Sequence, residues 1–225
     1  MLLVPGGRFT MGSKALTAPP NERPTHDETV ASFWIDKTEV TVGAYHACVD
    51  AHKCAPPQKT SGSCTFDMGE PELPINCVRW ADADTYCRAM SKRLPRETEW
   101  EYAARSAGNK YPWGSAPPSC ALAATLLHDA TGRRCTGQRP AKVGSYPAGA
   151  SAFGVLDLSG NVEEWTSDWY ADRALAGSAP RSGSSHVLRG GGWLSAPSAA
   201  RTTSRDWGSA VEAGPNVGVR CARST

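Results

Sequence analysis

Apolar residues recur with helical spacing in three short windows of the chain. After Thr41, the residues Tyr45, Cys48 and Val49 share one helical face, and the Thr41 hydroxyl is placed to cap that helix. A second window covers residues 81–90, and a third runs from Glu97 to Arg105. The third window begins with acidic residues and ends with a basic one, which complements the helix dipole. The pattern therefore predicts three helices.

The remaining periodic segments are short and predict strands. These strands are expected at residues 7–12, 31–36, 143–146, 155–158, 164–165, 187–189 and 217–221. The 22 glycines and 17 prolines interrupt every pattern, so loops should dominate. Because neither an internal repeat nor a linker is visible, residues 1–225 are expected to form one α+β domain.

Composition and charge exclude two classes of partner. The 225 residues are 40% hydrophobic, which is enough for one sizeable core. A net charge of +2 leaves no positive field to hold a nucleic-acid backbone. No stretch approaches the roughly 20 apolar residues that a membrane span needs. We expect no nucleic-acid partner and no membrane insertion by this domain. The chain opens directly on residues that look structured, as a domain from a longer chain would.

The eight cysteines favour disulfides and an oxidising compartment, because none forms a C-x-x-C pair. Eight cysteines allow about 105 pairings. Local pairing is the simplest arrangement, and it leaves the two remaining cysteines to pair across the chain. The alternative is a set of free buried thiols. The local arrangement consists of Cys48–Cys54, Cys64–Cys77 and Cys120–Cys135, with Cys87 left for Cys221.

Eight motifs, in order along the chain, carry a family resemblance. They are VPGGRFTMGS at 4–13, DKTEVT at 36–41, PINCVRW at 74–80, LPRETEWEYAAR at 94–105, YPWG at 111–114, GVLDLSGNVEEW at 154–165, RGGGW at 189–193 and VGVRC at 217–221. The chain thereby resembles the sulfatase-modifying-factor family, the formylglycine-generating-enzyme fold. The resemblance implies a single C-type lectin-like domain, low in regular structure and rich in disulfides. It also implies the Cys87–Cys221 bridge, and a weaker cap on the third helix because Arg96 stands where threonine is usual.

The enzymes that this chain resembles oxidise a substrate cysteine with oxygen and Cu(I), which two thiolates hold. Soft Cu(I) favours soft sulfur ligands. By the resemblance, the two thiolates would stand at Ser195 and Ala200, and Gly192 replaces an active-site serine. We therefore expect no copper and no formylglycine generation. The five histidines lack close metal spacing, so an iron site like that of sulfoxide synthases is not expected either.

The resemblance implies a calcium site at residues 157–162. Its ligands would be the side chain of Asp157 and the carbonyl oxygens of Leu158, Gly160 and Val162, which suits the oxygen-rich shell of Ca²⁺. The alternative is a tight glycine turn with Asp157 solvated. The family's other calcium site would fall within residues 121–137, where no convincing match appears.

Six arginines and no lysine follow residue 180. Arg189 and Arg220 are predicted to form buried pairs with acids such as Glu99, Glu101 or Glu164. A ligand groove is the second prediction, because arginine forks bind anions and tryptophans offer flat surfaces. Its candidate residues are Trp193, Ser195, Arg201, Arg205 and Trp207.

These observations favour an extracytoplasmic binding module, periplasmic or secreted, that calcium stabilises. Its expected ligand is a peptide, a glycan or a small molecule. The alternative is a divergent oxidoreductase of the same superfamily, of the kind found in siderophore maturation. Loss of the two thiols is the feature that separates the two, since an oxidase needs a replacement for its metal centre.

Overall fold

A computed structural model describes residues 1–105, 108–172 and 180–225 of the chain. Three helices and nine short strands are separated by long loops and three short 3₁₀ turns within these ranges. The helices are α1 (Val42–Asp50), α2 (Trp80–Ala89) and α3 (Glu97–Arg105). The strands are β1 (Leu2–Val4), β2 (Gly7–Met11), β3 (His26–Val30), β4 (Phe33–Ile35), β5 (Glu163–Trp169), β6 (Ser185–Arg189), β7 (Arg205–Ser209), β8 (Val217–Gly218) and β9 (Ala222–Ser224).

The three helices confirm the periodicity prediction. Thr41 caps α1, its Oγ1 accepting a hydrogen bond of 3.1 Å from the backbone N–H of Ala44. Helix α3 has the predicted bounds, while α2 begins one residue earlier than predicted. Among the described residues, no helix combines the length and apolar character that a bilayer span requires.

The strands form three small sheets. The largest has the order β7-β6-β5-β8, in which only the β5–β8 pair is parallel. The others are β1-β4-β9 and the antiparallel pair β2-β3. Strand β5 is buried at Glu163 and Glu164, and successive side chains of a strand point to opposite faces. The strand therefore sends one carboxylate to each side of the sheet.

Several strand predictions were wrong. Residues 143–146 and 155–158 are loops, and Val155 and Leu158 are apolar because they fill a core cluster. Strands β3 and β7 were not predicted. Only Val30 of β3 and Arg205 of β7 are buried, so neither strand shows an apolar alternation. Both lie at sheet edges, where pairing of the backbone alone defines the strand.

Four disulfides join all eight cysteines, and the predicted pairing is confirmed. The bridges are Cys48–Cys54, Cys64–Cys77, Cys87–Cys221 and Cys120–Cys135. Cys87 of α2 and Cys221 before β9 are both fully buried in the core cluster that α1 and α2 share with the large sheet. The fold is therefore the predicted single α+β domain, rich in loops and stapled by disulfides.

Candidate functional site

The predicted copper-thiolate positions lie on the loop that follows β6. Ser195 sits in a turn in which its N–H donates to the carbonyl of Gly192 at 2.9 Å. The Ser195 hydroxyl donates to Oε1 of Glu163 at 3.1 Å and accepts from the Gly192 N–H at 3.0 Å and from Nδ2 of Asn216 at 2.9 Å. One donor and two acceptor positions are thus all used. The hydroxyl is fixed within the protein's own hydrogen-bond network.

Ala200 and Gly192 complete this region without offering a ligand atom. Ala200 is fully buried, and its carbonyl accepts a hydrogen bond of 2.6 Å from the Ser159 hydroxyl. A β-carbon added to Gly192 would lie 2.2 Å from Oδ1 of Asn216, so the Asn216 amide fills the space that a side chain at position 192 would need. Because every cysteine is in a disulfide, the residues present do not fit a Cu(I) site.

Glu163 and Asn216 are the polar residues of this region that sequence reasoning missed. Glu163 is 7% exposed, and desolvation raises its pKa to about 7, with the nearby Asp206 adding to the rise. Hydrogen bonds from Ser195 and Asn216 oppose the rise. The available signal was the pair of consecutive glutamates in β5, whose side chains must point to opposite faces. Glu163 faces Ser195, whereas Glu164 faces the core.

The prediction of buried arginine pairs is confirmed. Arg220 is fully buried and contacts Glu164 through Nη2 at 2.7 Å, and Arg189 pairs with Glu101. Arg220 also donates to the carbonyl of Asp36 at 2.9 Å. The bidentate Arg220–Glu164 pair, with its further hydrogen bonds, offsets much of the desolvation cost of a buried charge.

The candidate groove residues lie in separate places. Arg201 pairs with Glu22 at 2.6 Å, and Arg205 pairs with Glu97 at 2.6 Å. Trp193 is 2% exposed and donates through Nε1 to the carbonyl of Pro215. Both arginine forks and the Trp193 ring are therefore engaged inside the protein, which does not leave an open groove formed by the five residues together.

Trp207 differs from the other groove candidates because its side chain faces solvent. It is 55% exposed, and its ring centroid lies 6.2 Å from that of Tyr170. The guanidinium of Arg205 lies 5.1 Å from the Tyr170 ring centroid, and this cation–π contact helps to hold the tyrosine ring in place. Trp207 and Tyr170 form an aromatic surface, which we call the Trp207 platform.

The candidate calcium ligands lie on a buried turn. Asp157 is 6% exposed, so the alternative of a solvated carboxylate does not hold. Its Oδ2 accepts a hydrogen bond of 2.6 Å from the Gly144 N–H, and the carboxyl group of Glu39 is its other polar neighbour. In the described parts of the chain, no hydrogen bond is accepted by the carbonyls of Leu158, Gly160 or Val162.

Glu39 adds two further buried oxygens beside Asp157, and a hydrogen bond from its carboxyl group lowers the pKa of Asp157. Desolvation raises the pKa of Glu39 well above its usual range, and the Asp157 carboxylate adds to that rise. Desolvation likewise raises the pKa of Asp157. Across residues 1–105, 108–172 and 180–225, no group of three His, Cys, Asp or Glu side chains is placed to hold a metal. The oxygens available here, from carboxylates and backbone carbonyls, are those that a hard cation such as Ca²⁺ prefers.

Comparisons with known proteins agree on one family. The model for the sulfatase-modifying factor enzyme 1-like domain matches residues 1–225. A hercynine oxygenase of Mycolicibacterium smegmatis is 35% identical over 98% of this chain, which spans only 60% of that oxygenase. The inactive C-alpha-formylglycine-generating enzyme 2 of Mus musculus is 30% identical over 100% of this chain and 85% of its own length.

A solved structure supports the same fold. The structure of PvdO from Pseudomonas aeruginosa superposes with a TM-score of 0.83 and 29% identity, covering 99% of this chain and 93% of PvdO. The superposition therefore extends over the full length of the domain, including the loops that carry Ser195 and Asp157.

Proposed function

The chain belongs to the sulfatase-modifying factor enzyme 1-like family, and from this premise we propose that it is an extracytoplasmic binding domain without the family's copper chemistry. The observation that carries the proposal is the state of positions 195 and 200. Ser195 is closed into a network with Glu163 and Asn216, and Ala200 is a buried methyl group. Neither can bind Cu(I).

Binding is assigned to the Trp207 platform. An exposed tryptophan beside a fixed tyrosine gives two adjacent aromatic faces inclined by 40°, which suits the face of a sugar ring or a peptide side chain. Asn21 donates through Nδ2 to the Tyr170 hydroxyl at 3.2 Å and holds the platform in place. The ligand class is a glycan, a peptide or a small molecule that stacks on these rings.

Calcium and an extracytoplasmic location belong to the same proposal. The buried carboxyl oxygens of Asp157 and Glu39, with the carbonyls of Leu158, Gly160 and Val162, would hold Ca²⁺, which would supply structural stabilisation. Four disulfides favour an oxidising compartment, periplasmic or secreted.

A divergent oxidoreductase is the second candidate, and the similarity to hercynine oxygenase favours it. Glu163, with a pKa of about 7, is a group that exchanges protons near neutral pH. Such an enzyme would still need a redox centre, for which the described residues offer neither a thiolate pair nor a cluster of metal-binding side chains.

The copper test checks the first part of the proposal, that the family's copper chemistry is absent. The purified domain, titrated with Cu(I) against a competing chelator, is expected to take up no stoichiometric copper. It is also expected to leave a peptide containing Cys-x-Pro-x-Arg unoxidised, as measured by mass spectrometry. A formylglycine-generating enzyme with both thiolates serves as the positive control. Aldehyde in the peptide would contradict the proposal.

The binding site is tested on glycan and peptide arrays with the protein and its Trp207→Ala variant. Trp207 is exposed, so its removal should leave folding intact. We expect a signal on one array class that the variant loses. A signal that both proteins give equally would contradict the assignment to the Trp207 platform.

A further inference from the structure

A cavity of about 420 Å³ lies between β2 and the C-terminal end of α3. Its wall includes three cationic side chains, Arg8, Lys14 and Arg105, and the hydroxyl-bearing Thr10 and Thr25. No aspartate or glutamate belongs to the wall that the described residues form. We propose that this cavity is a binding site for a small molecule that carries a tetrahedral oxyanion, a phosphate or a sulfate group.

Arg105 is the fixed centre of the site. Its Nη1 donates to the carbonyl of Thr10 at 3.0 Å, to the carbonyl of Gly12, and to Oε1 of Glu101 at 3.1 Å. These three contacts hold the guanidinium plane in one orientation. A charged group that is already oriented loses little conformational freedom when it binds an anion.

The opposite edge of the Arg105 guanidinium has no partner within the described chain. Nε is buried without a hydrogen bond, and no hydrogen bond is formed by Nη2. Nε and Nη2 lie on the same edge of the guanidinium, and Nη2 is the one of the two that an oxyanion oxygen can reach. Nη2 has no hydrogen bond and is not among the buried atoms, so it is the N–H group that a phosphate or sulfate in the cavity can reach.

The charge of Arg105 is only partly neutralised by its partner. Glu101 divides its carboxylate, with Oε2 toward Arg189 and Oε1 toward both Arg105 and the Gly12 N–H. One carboxylate thus serves two arginines. The described residues that line the cavity include no acid, and Asp27, which accepts a hydrogen bond from Thr10, is an acid beside it.

Arg8 and Lys14 supply the outer charges. The Arg8 side chain is 78% exposed, and its Nη2 lies 4.0 Å from Oδ2 of Asp27. Lys14 has no ion pair with any described residue. Asp27 is held instead by the Thr10 hydroxyl, which donates to Oδ1 at 2.9 Å. Both basic side chains are therefore available to a ligand. The volume falls within the range of about 300–1,000 Å³ that is typical of small-molecule sites.

The probes are inorganic phosphate and inorganic sulfate, titrated at constant ionic strength and followed by amide chemical shifts of the ¹⁵N-labelled protein. We expect saturable shifts around Thr10 and Gly108, and weaker binding when sodium chloride is raised, because surface charges are screened. The probe with the lower Kd identifies the source of the oxyanion, a phosphate compound or a sulfate compound. Absence of saturable shifts with both probes would overturn the proposal.

Two variants locate the binding. The double variant Arg8→Gln/Lys14→Gln changes only exposed side chains and should weaken binding by about tenfold or more. Arg105→Lys keeps the charge but removes the fork, and should also weaken binding. The matched control Arg88→Gln/Lys53→Gln removes equal charge from exposed positions outside the cavity. Equal weakening by the control and the double variant would show general charge attraction and would overturn the site, even if Arg105→Lys failed to fold.

Discussion

Glu39 and Asp157 are two acidic residues whose burial disfavours their charged forms. Both carboxyl groups are buried, and desolvation raises both pKa values even though a hydrogen bond from Glu39 lowers that of Asp157. Arg220 lies close enough to lower the pKa of both groups, but desolvation outweighs it. A cation bound beside Asp157 would offset the desolvation of the two carboxylates, which links these buried acids to the proposed calcium site.

Asp157→Asn should abolish any calcium dependence of the melting temperature. Asparagine tolerates the positive φ of 60° at this position and still accepts a hydrogen bond from Gly144, so only the charge is lost. Calcium at 100 times its Kd adds about 2.7 kcal/mol to the wild-type protein, which corresponds to about 5–10 °C in a domain of this size. Differential scanning calorimetry in calcium and in chelator measures both proteins.

The exposed Asp67→Asn variant is the control for this experiment, since its side chain is 61% exposed. It should keep the wild-type calcium response. If calcium raises the melting temperature of the Asp157→Asn variant as much as that of the wild type, the ion binds elsewhere.

At the scale of elements, the sequence predicted the helices better than the strands and the disulfides better than the ligand groove. Helical periodicity is local, whereas β3 and β7 exist through backbone pairing with β2 and β6, which no local pattern encodes. The groove prediction treated Arg201 and Arg205 as available to a ligand, but they form ion pairs with Glu22 and Glu97. Those partners are distant in sequence, so no local pattern indicates the pairing. The assignment of the missing thiols to positions 195 and 200 rests on motif alignment and stays a prediction.

Helix α3 depends on a long-range contact of the same kind, because the residue that caps its N-terminus belongs to another element. Arg96 cannot cap it, and the Asp168 carboxylate of β5 instead accepts a hydrogen bond of 2.7 Å from the Glu97 N–H. Glu99 meanwhile accepts from the Arg96 N–H at 2.9 Å, which is one half of a capping box. A local threonine would complete the other half.

Asp168→Ala should therefore lower the free energy of unfolding by about 1 kcal/mol, and adding Arg96→Thr should recover part of that loss. Urea denaturation of the two single variants and the double variant measures the coupling. Asp67→Ala, in an exposed loop, is the control and should change little. A double variant no more stable than Asp168→Ala alone would mean that a threonine cap does not replace the Asp168 cap.

At the scale of the whole molecule, the bridge between Cys87 and Cys221 compensates for the scarcity of regular structure. The longest helix has 10 residues, and the largest sheet has four short strands within the described chain. Two separate hydrophobic clusters make up the core. Cys87 and Cys221 tie α2 to the C-terminal segment across 134 residues, so this bridge restricts the unfolded chain far more than a local one does.

Replacing both members of this bridge by alanine should destabilise the protein more than the same change at Cys48 and Cys54. Loop-closure entropy predicts a loss of about 5 kcal/mol for the long loop and about 2 kcal/mol for the short one. All four sulfurs are buried, so both variants lose similar packing and the difference reports chiefly on loop length. Guanidinium unfolding of the two double variants, each still carrying its other three bridges, measures that difference. Equal losses would indicate that packing around the sulfurs, rather than restriction of the unfolded chain, accounts for the stability that these bridges contribute.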